Sequence, residues 1–350
     1  MNTINIGRRS IGVDQSCFVI AEAGVNHNGR TDLALALIQA ARVAGADCVK
    51  FQTFSAERVA NSRVEKAPYQ RATTGAGGSQ VDMLKALELP DNAYPEILAA
   101  CHEAGLEFLS TPYGPEDADF LEKLGVQAYK IASAQIVELD FLSHIASKQQ
   151  PILLSTGMAT LAEVDQAVRT IRKAGNERLV LLQCTTNYPS RVEDANLRVL
   201  HVLREGFGVQ VGYSDHTETP ACCIAAVALG AVVVEKHLTL DKSMPGPDHA
   251  ASADPAEFRE LVDLLRQVEV ARGSGRKEPT AAELVNRPFM RRSIVARTVI
   301  PAGAVLTSNL LTFKRPGTGI SPARLEEVVG THARVAIDSD QLIEWHDIDR

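Results

Sequence analysis

The sequence predicts an α/β protein: a closed (β/α)8 barrel, the TIM-barrel architecture, followed by a small, mostly β domain. Three observations predict it. Eight short β-rich runs alternate with longer helical patterns, and such alternation calls for a parallel sheet, because each crossover helix returns the chain to the same edge. The alternating region is about 270 residues long, the size of a closed barrel. From about Gly273 the texture changes to short runs broken by Gly and Pro, without a long amphipathic helix. The expected division is a barrel over 1–272, a polar linker over 273–290 (opening GSGRKEPTAAELVNRP) and a compact second domain over 291–350.

The strands follow in order. They are CFVIAEA (17–23), CVKFQTF (48–54), EFLSTPY (107–113), AYKIAS (128–133), PILLST (151–156), LVLLQCT (179–185), VQVGYSD (209–215) and AVVVEKHL (231–238). Helical spacing marks DLALALIQAARVAGA, PEDADFLEKLG, TLAEVDQAVRTIRKAG, PACCIAAVALG and DPAEFRELVDLLRQVEVARG, several closing on the Gly typical of a helix C-terminus. An open doubly wound sheet would carry a Gly-rich phosphate turn after its first strand, and AEAGVNHNG is not GxGxxG. Residues 55–90 interrupt the beat with a polar, irregular stretch. A long loop after the second strand lies on the C-terminal face, where binding loops of barrels belong.

With 350 residues, 45% hydrophobic, the chain can bury a large core. A net charge of −7, with both signs scattered along the chain, argues against nucleic acid as the main partner. The six cysteines form no CxxC pair and mostly sit in apolar stretches, as reduced thiols of a cytoplasmic protein do. MNTINIGRRS has no apolar h-region, so no secretory signal is expected. The longest nearly apolar run, Ala221 to Val234, is too short to span a bilayer, so no membrane partner is expected either.

Barrel enzymes place their chemistry at the C-terminal ends of the strands. Here those ends carry Glu22, Lys50 with Gln52, Thr111, Lys130 with Ser133, Ser155 with Thr156, Asn187, Ser214 with His216, and Glu235 with His237. For one residue a satisfied rim contact is the simpler reading; for eight strands together a polar active-site mouth is. Residues two apart share a strand face. If Glu235 and His237 face inward, Lys236 faces the helices and pairs with an acid there. His216 and His237 then top neighbouring strands, close enough to share a cation. With no thiolate alongside, a hard or borderline divalent ion fits better than a closed structural zinc site. Asp248 in PGPDHA adds a substrate or outer contact. Lys50 and Lys130, ringed by hydroxyls, suit a phosphate or phospho-carboxylate, unless one of them is a buried ion-pair partner. A Schiff-base lysine is the competing reading.

The sequence resembles the sialic acid synthase family, the nonulosonate synthases. The matching stretches are IAEAGVNHNG (20–29), VKFQTF (49–54), FLSTPY (108–113), YKIAS (129–133), LSTGMA (154–159), QCTTNYP (183–189), GYSDHT (212–217), EKHLTLD (235–241), GPDHAAS (246–252), MRRSIVA (290–296) and FKRPGTGIS (313–321). They span nearly the whole chain in order and are specific as a set. The resemblance implies condensation of phosphoenolpyruvate with N-acetylmannosamine to give N-acetylneuraminate and phosphate by C–O cleavage. It implies a divalent ion on His216 and His237, most often manganese, with magnesium or cobalt as alternatives. It places phosphoenolpyruvate near Lys50, Thr111, Lys130, Ser133, Ser155, Asn187 and Ser214, and the sugar near Glu22, Gln52, Tyr188 and Asp248. Glu22 would orient a sugar hydroxyl or handle a proton. The tail resembles the antifreeze-like (SAF) domain of these synthases, which swaps across a homodimer, so Phe289 and Arg315 would cap the partner's barrel.

One departure bears on the substrate. AQI (134–136) follows KIAS where N-acetylneuraminate synthases more often carry a GSGE-like turn. That leaves open a legionaminate synthase acting on 2,4-diacetamido-2,4,6-trideoxymannose. A non-catalytic sugar-binding barrel is the third reading; it gives no reason for lysines, histidines and hydroxyls at every strand end.

Overall fold

The structure, a computed structural model, describes residues 2–75 and 77–349. The chain divides into two compact units, one ending at Gly273 and one beginning at Ser274. The first is the barrel. Its strands are β1 (Phe18–Gly24), β2 (Cys48–Thr53), β3 (Glu107–Pro112), β4 (Tyr129–Ile131), β5 (Ile152–Ser155), β6 (Leu179–Cys184), β7 (Gln210–Asp215) and β8 (Val233–His237). They follow the order β3-β2-β1-β8-β7-β6-β5-β4, and every ladder in it is parallel. β3 and β4, the two ends of that order, pack side by side without a regular ladder and complete the ring. Each of the eight expected strands is present within two residues of its expected ends.

Period-two alternation explains how greasy strands end in a polar mouth. Val19, Val49, Ile152, Leu154, Leu181, Val211 and Val234 belong to the hydrophobic layer shared with the surrounding helices. Phe18, Ile20, Cys48, Leu109, Ala128, Leu153, Val180, Leu182 and Val233 form a separate cluster that fills the barrel. Extending the inward rows by two residues from Ile20, Cys48, Leu109, Ala128, Leu153 and Val233 gives Glu22, Lys50, Thr111, Lys130, Ser155 and Glu235. The filling is tight at Gly212, where an added Cβ would lie 2.6 Å from Leu182 Cδ2 and 2.6 Å from Val233 O. A side chain there would collide with fixed backbone.

The sequence reading missed an N-terminal hairpin, Ile4–Ile6 paired with Arg9–Ile11, whose Ile4, Ile6 and Ile11 join the barrel-filling cluster. Two three-residue strands offer too little periodicity to be read. The stretch 55–90 contains short helices at Ala56–Val59, Pro68–Thr74 and Gln80–Lys85. Lys66 steadies it by donating to Gly75 O at 3.2 Å and Gly77 O at 2.7 Å. No helix among the described residues is long and apolar enough to cross a membrane.

Within the expected linker lies a helix, Ala281–Met290, opened by Thr280 accepting from Glu283 N and having no buried residue. Beyond it, Ser293–Ala296 pairs antiparallel with Leu311–Lys314, and His332–Ala333 with Ile348–Asp349. The second unit's core is built on Ile294, Leu306, Leu311, Val328, Ile337 and Ile343.

Candidate active site

The C-terminal mouth of the barrel holds a cavity of about 200 Å³. It gathers eleven of the fifteen residues expected at the site: Glu22, Lys50, Gln52, Thr111, Lys130, Ser133, Ser155, Tyr188, Ser214, His216 and His237. The charged groups interlock. Lys50 Nζ lies 2.8 Å from Glu22 Oε2 and donates to Thr111 Oγ1 at 3.1 Å. Lys130 Nζ donates to Ser155 Oγ at 2.7 Å. Glu235 stands between the lysines, its oxygens 3.8 Å from Lys50 Nζ and 3.7 Å from Lys130 Nζ, and accepts from Ser214 Oγ at 2.8 Å. Gln52 Nε2 donates to Glu22 Oε1 at 3.1 Å.

The alternative left open by the sequence, a lysine that is a buried ion-pair partner, holds for both of them. Two ammonium and two carboxylate groups sum to zero, so an incoming phosphate must compete with Glu22 and Glu235 for the lysines. Burial pushes the Glu22 carboxyl up from its ordinary range against the pull of Lys50. Burial also lowers Lys130, against the pull of Glu235. For Lys50, Glu22 and Glu235 outweigh burial and raise the ammonium above its ordinary value. The sequence reading placed Glu235 at the mouth but gave it no role. Its two-residue spacing from His237 placed it inward, but nothing in the pattern marked it as the carboxylate shared by both lysines.

The two imidazoles converge, with ring centroids 5.3 Å apart. Tyr188 lies against both, 4.1 Å from the His216 ring and edge-on 5.4 Å from that of His237. His216 Nδ1 donates to Thr185 O at 2.7 Å, which leaves Nε2 as the nitrogen that could hold a cation. Buried His237 Nδ1 has no hydrogen-bond partner among the described residues. Burial first, then His216 and the nearby lysines, push His237 well below its ordinary value and keep it neutral. Although burial opposes it, Cys184 and the Thr185 carbonyl raise the His216 imidazole above its ordinary value. The residues therefore fit a divalent ion held by two nitrogens, with its other positions left to water or substrate. No cluster of three His, Cys, Asp or Glu ligands exists among the described residues.

Behind the mouth, Lys236 points to the helices and meets Asp215 Oδ2 at 2.7 Å, the outward acid expected from the alternation. Asp248 is buried but does not line the cavity, and burial pushes its carboxyl up to about 6. Asn187 stays outside as well: it is exposed, and its side chain is turned back to donate to Pro189 O at 3.1 Å. Phe289 and Arg315 belong to the second unit, where Phe289 is exposed and Arg315 Nε donates to Met290 O at 3.2 Å. Tyr69, Tyr113, Ala132, Ala134, Cys184 and Thr186 also line the cavity. Tyr69 arrives from the long loop and stacks on Tyr188 at 5.1 Å, a contact that no local sequence signal announces.

Fold and site define a class: a (β/α)8-barrel enzyme whose polar mouth combines a paired-imidazole corner with a charge-compensated lysine cradle. Comparison with known proteins narrows it. The model of the NeuB family matches residues 37–277, and that of the SAF domain matches residues 291–349. The N,N'-diacetyllegionaminic acid synthase of Legionella pneumophila is 43% identical over 98% of each chain. The N-acetylneuraminate-9-phosphate synthase of Homo sapiens is 35% identical over 96% of this chain and 93% of its own. The solved N-acetylneuraminic acid synthetase of Leptospira borgpetersenii, in complex with citrate, superposes with a TM-score of 0.74 at 30% identity, covering 81% of this chain and 95% of that one. The chain belongs to the NeuB family, the nonulosonate synthases, and carries their C-terminal SAF domain.

Proposed function

We propose that this enzyme condenses phosphoenolpyruvate and water with 2,4-diacetamido-2,4,6-trideoxymannose, giving N,N'-diacetyllegionaminate and inorganic phosphate. The observation that carries the choice of sugar is the 43% identity, over 98% of both chains, to a protein named for that activity. It shifts the reading away from N-acetylmannosamine, the sugar first expected from the sequence. The cavity supports the shift: besides its charged floor it offers Ala132, Ala134, Tyr69, Tyr113 and Tyr188. Such surfaces suit a sugar carrying a methyl group and a second acetamido group. N-acetylneuraminate formation remains the second reading, favoured by the 35% identity to the human synthase.

In the proposed reaction C3 of phosphoenolpyruvate attacks the open-chain aldehyde carbon, water adds at C2, and the tetrahedral adduct expels phosphate by breaking its C–O bond. Lys50 and Lys130 bind the phosphate and carboxylate, helped by the hydroxyls of Thr111, Ser133, Ser155 and Ser214. As the dianion arrives, Glu22 and Glu235 give up part of their hold on the ammonium groups. When phosphate departs they take it back, so the cradle need not bind product more tightly than substrate. Glu22, tied to Gln52, is the group placed to orient a sugar hydroxyl or hold a proton. His216 and His237 would hold a divalent ion, manganese first, which when bound polarises the aldehyde oxygen. Buried, unpaired thiols fit a cytoplasmic enzyme. Phe289 and Arg315 would act from the partner of a swapped homodimer.

Steady-state phosphate release with each aldose tests the proposal. A kcat/KM at least tenfold higher for the diacetamido sugar supports it; preference for N-acetylmannosamine transfers the assignment to the second reading. No release with either removes both.

A further inference from the structure

The β1 loop, Asn26–His27–Asn28–Gly29, belongs to a stretch singled out in the sequence, yet the reaction gives it no task. Its side chains reach a different loop. Asn26 Nδ2 donates to Leu238 O at 2.9 Å and Ser252 Oγ at 2.8 Å, and Ser252 Oγ donates to Asp248 O at 2.7 Å. Asn28 has a left-handed backbone, φ 51°, a conformation Asn tolerates better than most residues. From there Nδ2 donates to Pro245 O at 3.0 Å, while Oδ1 faces His249 Nε2 at 3.3 Å. The other His249 nitrogen lies 2.7 Å from Thr239 Oγ1. Both ends of the segment 245–252 are therefore fastened to one turn.

The fastening leaves no slack. A Cβ on Gly246 would lie 2.5 Å from His249 Cδ2 and 3.1 Å from Asn28 Oδ1. A Cβ on Gly29 would lie 2.8 Å from Ala86 O, so the same turn also abuts the long loop. Thr73 of that loop donates to Pro247 O at 3.3 Å. Asp248 sits at the centre, and its carboxyl group has no hydrogen bond or ion pair of its own among the described residues. It is within electrostatic reach of Glu22 and His216, and of Tyr69, Tyr113 and Tyr188. With no polar partner of its own, that carboxyl depends for its position on how its backbone is held.

We infer that Asn26, Asn28 and His249 are positioning residues that hold the buried Asp248 carboxyl beside the cavity, toward its sugar end. This rests on the placement of the sugar near Asp248 that the family resemblance implies. The clasp acts through Asp248, so its loss weakens sugar binding and spares phosphoenolpyruvate, whose lysine cradle lies on other strands.

The test is steady-state kinetics with phosphoenolpyruvate and whichever of the two aldoses turns over. Asn28→Ala removes both hydrogen bonds, and Gly246→Ala crowds the same pair while deleting no polar group. Each should raise the aldose KM by about tenfold and leave the phosphoenolpyruvate KM within about twofold. His249→Gln, which keeps a donor for Asn28, should recover part of what His249→Ala loses. In an Asp248→Ala background, Asn28→Ala should add less than about twofold. Equal rises in both KM values, or full multiplication of the effects in the double variant, overturn the inference. Should Asn28→Ala fail to melt cooperatively, Gly246→Ala and the His249 pair decide on the same criteria. Asp248→Ala with an unchanged aldose KM removes the underlying placement of the sugar. A raised KM in Asp248→Ala but not in the clasp variants removes the inference alone.

Discussion

Replacing Asp215 with Asn removes the negative charge that faces Lys236 on the outer wall of the barrel. The two side chains are almost fully covered, 0% and 6% exposed, with Nζ 2.7 Å from Oδ2. Without that carboxylate the ammonium keeps only neutral acceptors, Thr217 O at 2.6 Å and at best the Asn amide oxygen, so the buried charge is left uncompensated. Breaking a buried pair in this way costs about 3–5 kcal/mol. The opposite change is gentler. In Lys236→Met the Asp215 carboxylate still receives Tyr213 OH at 3.1 Å, Thr217 N at 3.0 Å and Thr217 Oγ1 at 3.2 Å. A hydrogen bond to a charged group is worth about 1.5–3 kcal/mol, and only the one from Lys236 is lost, so the cost should be about 1.5–3 kcal/mol, below that of Asp215→Asn. The double variant should be more stable than Asp215→Asn alone, because no unpaired ammonium remains. Urea unfolding followed by far-ultraviolet circular dichroism measures all three. An Asp215→Asn variant within about 1 kcal/mol of wild type, or a Lys236→Met variant more damaged than it, would refute the reasoning.

Other outcomes follow from the same geometry. His237→Ala should lower bound manganese at equilibrium dialysis by at least about tenfold while leaving the circular dichroism spectrum intact; unchanged metal content contradicts the two-imidazole assignment. Asp248→Asn should stabilise the fold at neutral pH. Burial raises this carboxyl to about 6, so between that value and its unfolded range the native state binds the extra proton, and stability falls as pH rises through the window. Two pH units correspond to about 3 kcal/mol, so at pH 7 the Asn variant should gain up to that amount, and at pH 4 nearly nothing. Arg315→Ala should raise the aldose KM more than that of phosphoenolpyruvate. Mixed with Lys50→Ala it should recover up to about a quarter of wild-type turnover if tails swap, since half the dimers would carry one intact site. No recovery contradicts a shared site.

What could be read from the sequence was whatever repeats with a short period. Runs such as LVLLQC alternate their faces every residue, and the same period puts Lys50 with Gln52 and Glu235 with His237 on one side. Lys236 was assigned to the outside on the same ground, and Asp215 meets it there. What could not be read depends on tertiary bonds between distant segments. Tyr69 reaches the cavity from a helix steadied by Lys66 on Gly75 O and Gly77 O and by Thr73 on Pro247 O. The role of Glu235 arises only when Lys50 and Lys130, from separate strands, both approach it. Asn187 went the other way: its place in the chain put it at a strand end, and a local bond to Pro189 O turned it outward.

The central claim is that this mouth joins phosphoenolpyruvate to an amino-sugar aldehyde and sheds phosphate from carbon. Phosphoenolpyruvate carrying 18O in its bridging position tests that claim directly, with the 2,4-diacetamido sugar and enzyme stripped of metal and then restored with manganese. Turnover should appear only after restoration, with the heavy oxygen recovered in inorganic phosphate. Label retained in the sugar acid, or full turnover by the stripped enzyme, would contradict it.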